Sequence, residues 1–311
     1  MACGKASVSC NAKSAQRAEL KIGPEGPPTG RGVQPQAPAA ALFYNSAMYS
    51  HLAAYIFTPI DAPQALADAL RARAEALELL GTVLVAGEGV NLFLAGAEAA
   101  IDAFLQALHA DPRFDGLSVK RSVCAQPPFA RLKVKVKQEI ISFRQDRASP
   151  LAGRAPAVSP QDLRRWLAQG RDDAGRPLAL LDTRNREETA YGTFVGALTL
   201  PIDNFVDLPA ALESKRAALD GATVVSFCTG GIRCEKAALW MREAGFGHEI
   251  LQLDGGILGY FEAVGGDGWQ GDCFVFDARI ALDPSLSPLS ERTPPDALPS
   301  GHAPSALENA A

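Results

Sequence analysis

The stretch FCTGGIRCEKA, residues 227–237, follows the apolar run Thr223–Ser226 and leads into a segment with helical spacing of apolar residues. A buried strand that ends in a glycine pair and runs into a helix is the strand-to-helix turn of a parallel α/β sheet, whose ligands gather at the carboxyl ends of the strands. Cys228 stands at such an end. Gly230 and Gly231 permit the positive φ angles of a tight loop whose N–H groups turn inward, and a loop of that kind at a helix N-terminus stabilises an anion. The anion on hand is the Cys228 sulfur: a thiol with an ordinary pKa of about 8.5 is pushed toward thiolate by the loop dipoles and by Arg233. Thr229, Gly230, Gly231, Ile232 and Arg233 are therefore the candidate active-site loop around a reactive Cys228; the competing reading is a buried, inert cysteine in a Gly-rich turn. Its C-x4-R spacing is one residue shorter than the C-x5-R ring that encloses phosphate in cysteine phosphatases, so it suits chemistry at the sulfur itself. Cys234, in the first helical turn, is open to three roles: packing residue, resolving thiol or second reactive group.

Outward from the loop, residues 149–282 alternate strand and helix. Ser159, or the Pro-Gln-Asp turn that follows it, is placed to cap the helix QDLRRWLAQ. LALLDTRN then reads as a buried strand, TVVSFC as a second, EKAALWMREAGF as a helix stopped at Gly245 or Gly247, EILQL as a strand and GILGYFEAV as a helix. Asp182 and Arg184, at the end of the strand beside Cys228, are pocket candidates; the competing roles are a turn cap for Asp182 and a salt bridge for Arg184.

Residues 48–148 read differently. HLAAYIF is a strand, APQALADALRARAEALELL a helix with Leu66, Leu70, Leu77 and Leu80 near one face, GTVLVAG and VNLFLAG two strands, AEAAIDAFLQALHA a second helix and LSVKRSV a closing strand. The order βαββαβ is that of a ferredoxin-like, or acylphosphatase-like, α+β domain. The strand after it alternates Lys133, Val134, Lys135, Val136 and Lys137, with Lys120, Arg121, Arg131, Arg144 and Arg147 close in sequence. Lysines on one face suit a solvated edge strand protected from aggregation; the sharper reading is a phosphate-backbone footprint made by Arg131, Lys133, Lys135 and Lys137. A Pro/Gly/Ala joint, 148–160, separates the two halves.

The 311 residues suffice for two domains with real cores. Residues 1–47 and 283–311 have the Pro-, Gly- and Ala-rich composition of flexible tails, and Met48 is a candidate true start. The six cysteines (Cys3, Cys10, Cys124, Cys228, Cys234, Cys273) form no CxxC pair and the four histidines are scattered, which argues against a structural zinc. No run approaches the roughly 18 to 20 apolar residues of a membrane span, and no signal-peptide core opens the chain, so the expectation is a cytoplasmic protein without membrane contact. A net charge of −5 leaves any nucleic-acid role to a local patch.

Residues 159–264 resemble a rhodanese domain, through LLDTRNREETAYGTFVGALTLP and the cysteine loop. The longer string CTGGIRCEKA, with LDGGILGYFE, CFVFDAR, GTVLVAGEGVNLFLAG and RLKVKVKQEI, is similar to the tRNA uridine hydroxylase family over about residues 50–282. That resemblance implies hydroxylation of C5 of the wobble uridine, with molecular oxygen as co-substrate, the tRNA anticodon loop as partner and Cys228 as the catalytic cysteine. No metal or organic cofactor is evident. Two departures stand out: Gly87-Glu88-Gly89-Val90-Asn91-Leu92 replaces the usual Pro-Glu-Gly-Ile-Asn-Gly, and a cysteine-rich C-terminal extension found in some members is missing. Cys228 thiolate adding to C6 of uracil would enrich C5 for reaction with oxygen. The alternative is a rhodanese-type sulfurtransferase acting through a Cys228 persulfide, and a third reading is an RNA-binding module without catalysis.

Overall fold

The computed structural model describes residues 48–145 and 148–293. The first tail, Arg147 and the end of the second tail lie outside the described residues. The first half is β1 (Tyr49–Phe57), α1 (Pro63–Ala76), β2 (Leu80–Ala86), β3 (Gly89–Gly96), α2 (Glu98–His109) and β4 (Ser118–Cys124), followed by β5 (Leu132–Val136). The sheet order is β4-β1-β3-β2-β5; the first four strands are antiparallel neighbours, and β5 adds to the β2 edge in parallel. The ferredoxin-like reading and the edge position of the lysine strand are both found.

Alternation makes this sheet two-sided. Leu52, Ala54, Val83, Val85, Leu92, Leu94 and Val134 point to the helices and pack with Ile101, Phe104 and Leu108. The opposite face carries His51, Ala53, Tyr55, Thr82, Leu84, Asn91 and Phe93, by the registers of β1, β2 and β3. Helix α1 is shorter than its leucines suggest. The chain turns left-handed at Glu78 (φ 53°) and Leu79 N–H closes on Ala74 O at 2.9 Å, so Leu80 opens β2 instead of extending the helix. In β2 the run Gly81–Ala86 is buried throughout and paired with β3.

The second half is β6 (Ala157–Val158), α3 (Pro160–Gln169), β7 (Leu178–Asp182), α4 (Arg186–Thr189), β8 (Gly192–Phe194), α5 (Leu208–Glu213), α6 (Arg216–Leu219), β9 (Thr223–Phe227), α7 (Ile232–Glu243), β10 (Glu249–Leu253) and α8 (Gly256–Val264). Its sheet is all parallel, ordered β6-β10-β9-β7. Continuous apolar runs are what a sheet covered on both faces requires. Leu181, Val224 and Ile250 face the side of α7, and Leu180, Val225 and Leu251 the side of α3 and α8. Ser159 caps α3 as expected, its Oγ accepting Asp162 N–H at 3.1 Å.

The joint is not a free linker throughout. Ala157 and Val158 pair with Gln252 and Leu253 as an edge strand, because two residues can complete the ladder that β10 leaves open. Helix α7 begins at Ile232, two residues ahead of the expected Cys234. Beyond α8, β11 (Trp269–Gly271) pairs with β8, and β12 (Cys273–Phe274) forms a hairpin with β13 (Ala281–Leu282). Residues 283–293, read as part of a flexible tail, carry a turn around Asp283 and the short helix α9 (Leu289–Arg292). Polar anchors hold them there: Glu291 accepts Ala125 N–H at 2.8 Å, and Arg292 pairs with Asp272 at 3.0 Å.

The open face of the first sheet is covered by the second half. Tyr55, Phe57 and Ala86 share a core with Ile140, Ile141, Ile232, Ala237 and Met241. Lys236, 2% exposed on α7, reaches Glu88 at 2.8 Å, Glu139 at 3.0 Å and the Ile141 carbonyl at 3.2 Å. Glu235 beside it accepts from Tyr55 Oη at 3.2 Å and from Arg154 Nε at 2.5 Å. A third tie is Arg279, held by Asp277 and donating to Ser122 Oγ (2.7 Å) and His51 Nε2 (3.1 Å). Burial, and then the Arg279 charge, hold the His51 pKa down to about 3, so this imidazole is a neutral acceptor. Removing one member of a buried ion cluster strands the others. Lys236→Met is therefore expected to lower unfolding free energy by roughly 3 kcal/mol, measured by urea denaturation, whereas an exposed substitution such as Lys215→Met is expected to change it little.

Candidate active site

A cavity of about 450 Å³ lies between the open face of the first sheet and the loop after β9. Its roof is Cys228, Thr229, Gly230, Ile232 and Arg233; its floor is Ala53, Tyr55, Thr82, Leu84, Asn91 and Phe93. Phe129, Phe205 and Phe276 add apolar wall, and Lys120 and Arg144 add positive charge. A mostly apolar space with a few polar groups and a reactive sulfur is the usual form of a small-molecule or base pocket.

The loop has the expected form, with one change. Gly231 alone of the glycine pair takes positive φ (102°), and its N–H donates to Cys228 Sγ at 3.2 Å. The turn before α8 packs directly on the loop: a Cβ on Gly256, which sits at φ 62°, would fall 2.6 Å from the Cys228 carbonyl, so no other residue fits without displacing the loop. Cys228 is fully buried. Burial opposes ionisation, but the Cys234 thiol donating to the sulfur, the Arg233 charge and the N–H groups of Cys234 and Arg233 outweigh it, and the pKa falls to about 6. The same burial, and the nearby Cys228, push Cys234 up, so Cys234 is the protonated donor of the pair. Cys273, also buried, is pushed up to about 12 and is an inert thiol.

Arg233 does not face the sulfur as a lone charge. Its guanidinium is held by both carboxylate oxygens of Glu188, at 2.5 and 2.7 Å, in a pair almost without solvent. Glu188 also accepts Asn185 N–H at 3.1 Å, closing α4, and Arg233 first among its partners keeps it ionised against the cost of burial. Glu188 was invisible in the sequence because its partner is 45 positions away. Asp182 and Arg184 are not in the cavity lining. They form a fully buried bidentate pair, with Arg184 also donating to the Gly192 carbonyl at 2.6 Å and Asp182 accepting from Thr193 at 2.7 Å. Cys234 likewise lies behind the loop, outside the lining.

The lysine strand lies at the margin of the cavity floor. Lys133 is in register with Thr82, and Lys135 with Leu84, so both occupy the face of the sheet that forms the floor; Lys137 follows on the same face and Arg131 is exposed at the strand's start. Arg144, at φ 57° and exposed on the cavity rim, joins them; the sequence marked it only as part of a basic cluster. Glu88, in the loop that departs from the family pattern, anchors Lys236 and Ile140 N–H (2.8 Å), and that accounts for its place. Among the described residues no three or more His, Cys, Asp or Glu side chains gather as a metal-holding group, and no helix is long and apolar enough to cross a membrane.

The loop geometry makes Cys228 a thiolate near neutrality and assigns part of that to Cys234. Alkylation of Cys228 by iodoacetamide, followed by mass spectrometry across pH, is expected to show a midpoint near 6. Cys234→Ala is expected to move that midpoint upward; an unchanged profile would show that the loop and Arg233 suffice.

Residues 49–140 match the family model described as UPF0176 acylphosphatase-like domain, and residues 159–263 match the rhodanese-like domain. Proteins named tRNA uridine(34) hydroxylase are similar over most of the chain. The one from Xanthomonas euvesicatoria pv. vesicatoria is 65% identical over 242 residues, 78% of this chain and 97% of that protein. That from Xylella fastidiosa is 62% identical over 239 residues, 77% of this chain and 93% of that protein. With both domains matched and nearly the full length of these relatives covered, the chain belongs to the tRNA uridine(34) hydroxylase family.

Proposed function

We propose that the protein hydroxylates C5 of the wobble uridine in tRNA, using Cys228 as a nucleophile in the cavity between its two halves. The single observation that carries this reading is the placement of a low-pKa thiolate in the roof of a base-sized cavity whose floor belongs to the other domain. A sulfurtransferase needs only the loop, whereas this cavity needs both halves. The thiolate adds to C6 of uracil and the electron pair moves to C5 and O4. The carbon nucleophile at C5 takes one oxygen atom of molecular oxygen, and the other leaves as water with two electrons from an external reductant and two protons. Loss of the C5 proton expels the thiolate and restores the ring double bond. Burial favours this sequence, since a desolvated thiolate is a stronger nucleophile and water is kept from the adduct.

Reaching C5 requires the base out of its stack, which single-stranded loops permit at low cost. The anticodon backbone then falls along Arg131, Lys133, Lys135, Lys137 and Arg144, at the open margin of the floor. With a formal charge of −5 on the whole chain, electrostatic attraction to RNA rests on a local patch of this kind.

Nucleoside mass spectrometry of tRNA from cells deleted for the gene and complemented with wild type or Cys228→Ala tests the reading. Loss of 5-hydroxyuridine-derived wobble nucleosides with Cys228→Ala is expected. Their persistence, or a protein mass gain of one sulfur without a nucleotide adduct, would favour the persulfide route instead. For the RNA path, Lys133→Glu/Lys135→Glu/Lys137→Glu is expected to weaken tRNA binding at least tenfold at low salt and to flatten the dependence of log Kd on log salt; unchanged binding would leave the strand a solvated edge.

A further inference from the structure

We infer that Asn91 reads the N3–H edge of the uracil, so that the first domain, not the rhodanese-like half, selects uridine at the site; this rests on the function proposed above. Asn91 is 6% exposed, on a strand that is otherwise apolar, and it lines the cavity that holds Cys228. Burying a carboxamide costs free energy unless its polar atoms are used. Its one hydrogen bond among the described residues is from Nδ2 to the Ile140 carbonyl at 3.2 Å, which fixes which end of the amide is nitrogen. Oδ1 is left without a protein donor, and it is not sealed from the cavity.

The sheet places this acceptor below the reactive sulfur. Asn91 stands directly opposite Tyr55 in the β1–β3 pair. The Tyr55 hydroxyl lies 2.9 Å from where a Gly231 Cβ would be, and Gly231 N–H holds Cys228 Sγ at 3.2 Å. Tyr55 cannot take the reading role itself: burial, then the Glu235 and Cys228 charges, push its pKa far up, so it keeps its proton and its O–H donates to Glu235. On the other side, Asn91 pairs with Leu84, and Leu84 with Lys135, so two strand spacings, roughly 10 Å, separate the acceptor from a lysine at the floor's margin. That is about the reach from a base edge to its own backbone phosphate.

A carboxamide oxygen fixed in this way accepts from the N3–H of uracil. Cytosine offers a lone pair at N3 and would meet it with repulsion, while 3-methyluracil has no proton to give and a methyl group in its place. The reading is thus a discrimination made by one atom pair, and it is separable from catalysis.

Binding of synthetic anticodon stem-loop RNAs to the Cys228→Ala protein, which cannot form an adduct, measures it. Stem-loops carrying uridine, 3-methyluridine or cytidine at the wobble position are compared in that background and with Asn91→Leu added. Uridine is expected to bind about tenfold more tightly than the other two, and Asn91→Leu to abolish that preference by weakening uridine alone. Asn91→Asp, which cannot donate to the Ile140 carbonyl and so loses the bond that orients the acceptor, is expected to weaken uridine binding as Asn91→Leu does. Equal binding of uridine and 3-methyluridine by the Asn91-containing protein overturns the inference without reference to any variant's folding, as does a preference that survives Asn91→Leu. Neither result bears on whether Cys228 is required for product in cells, so failure here and failure of the function itself are told apart.

Discussion

A sulfur that is to be an anion while buried must have its lost hydration made up by fixed groups. Cys228 is that sulfur, and the surrounding structure is arranged around the requirement. Gly231 N–H, the Cys234 thiol and the first turn of α7 stand in for water. Arg233 supplies charge, but a guanidinium buried beside the loop needs its own counter-ion, and Glu188 provides it. Each buried charge calls for another, so the site is a nest of paired ions built outward from one sulfur, with Asp182 and Arg184 forming a further closed pair beneath.

The division of labour between the halves follows from geometry. A parallel sheet delivers the reactive atom at a strand's carboxyl end but leaves the space above it open. The sheet of the first half closes that space with a face that is apolar in the middle and basic at one margin. Its second face is apolar enough that it could not stay exposed, and the same surface that buries it makes the cavity. The contact that joins the two halves is also the one that forms the site.

Much of this was legible in the sequence, and the limits have a physical pattern. Strand and helix order came from local periodicity, and Cys228 from six consecutive residues whose chemistry needs nothing distant. The lysines of β5 were legible as one face, but which face, and what lay on it, depended on the register with β2. Glu188, Glu88 and Tyr55 were not legible, because each acquires meaning only from a partner 45 to 180 positions away. Asp182 and Arg184 looked like pocket residues because they end the strand beside Cys228; their mutual bidentate pairing, two residues apart, turns both inward. Asn91 did leave a signal, a lone amide amid Val90, Leu92, Phe93 and Leu94, which alternation places on the sheet's second face.

Glu235 and Lys236 are consecutive, opposite in sign and both almost fully buried, and their partners come from different segments: Arg154 and Tyr55 for the first, Glu88 and Glu139 for the second. Consecutive residues on a helix project about 100° apart. A rotation of α7 by one residue would present a carboxylate to carboxylates in one sense, or an ammonium to a guanidinium in the other, without water to soften the repulsion. The two charges therefore work as a two-pin key that admits one rotational setting of the helix. Since the N-terminal amides of that helix are aimed at Cys228, the key sets the direction of the field at the sulfur from a face of the helix that never touches it.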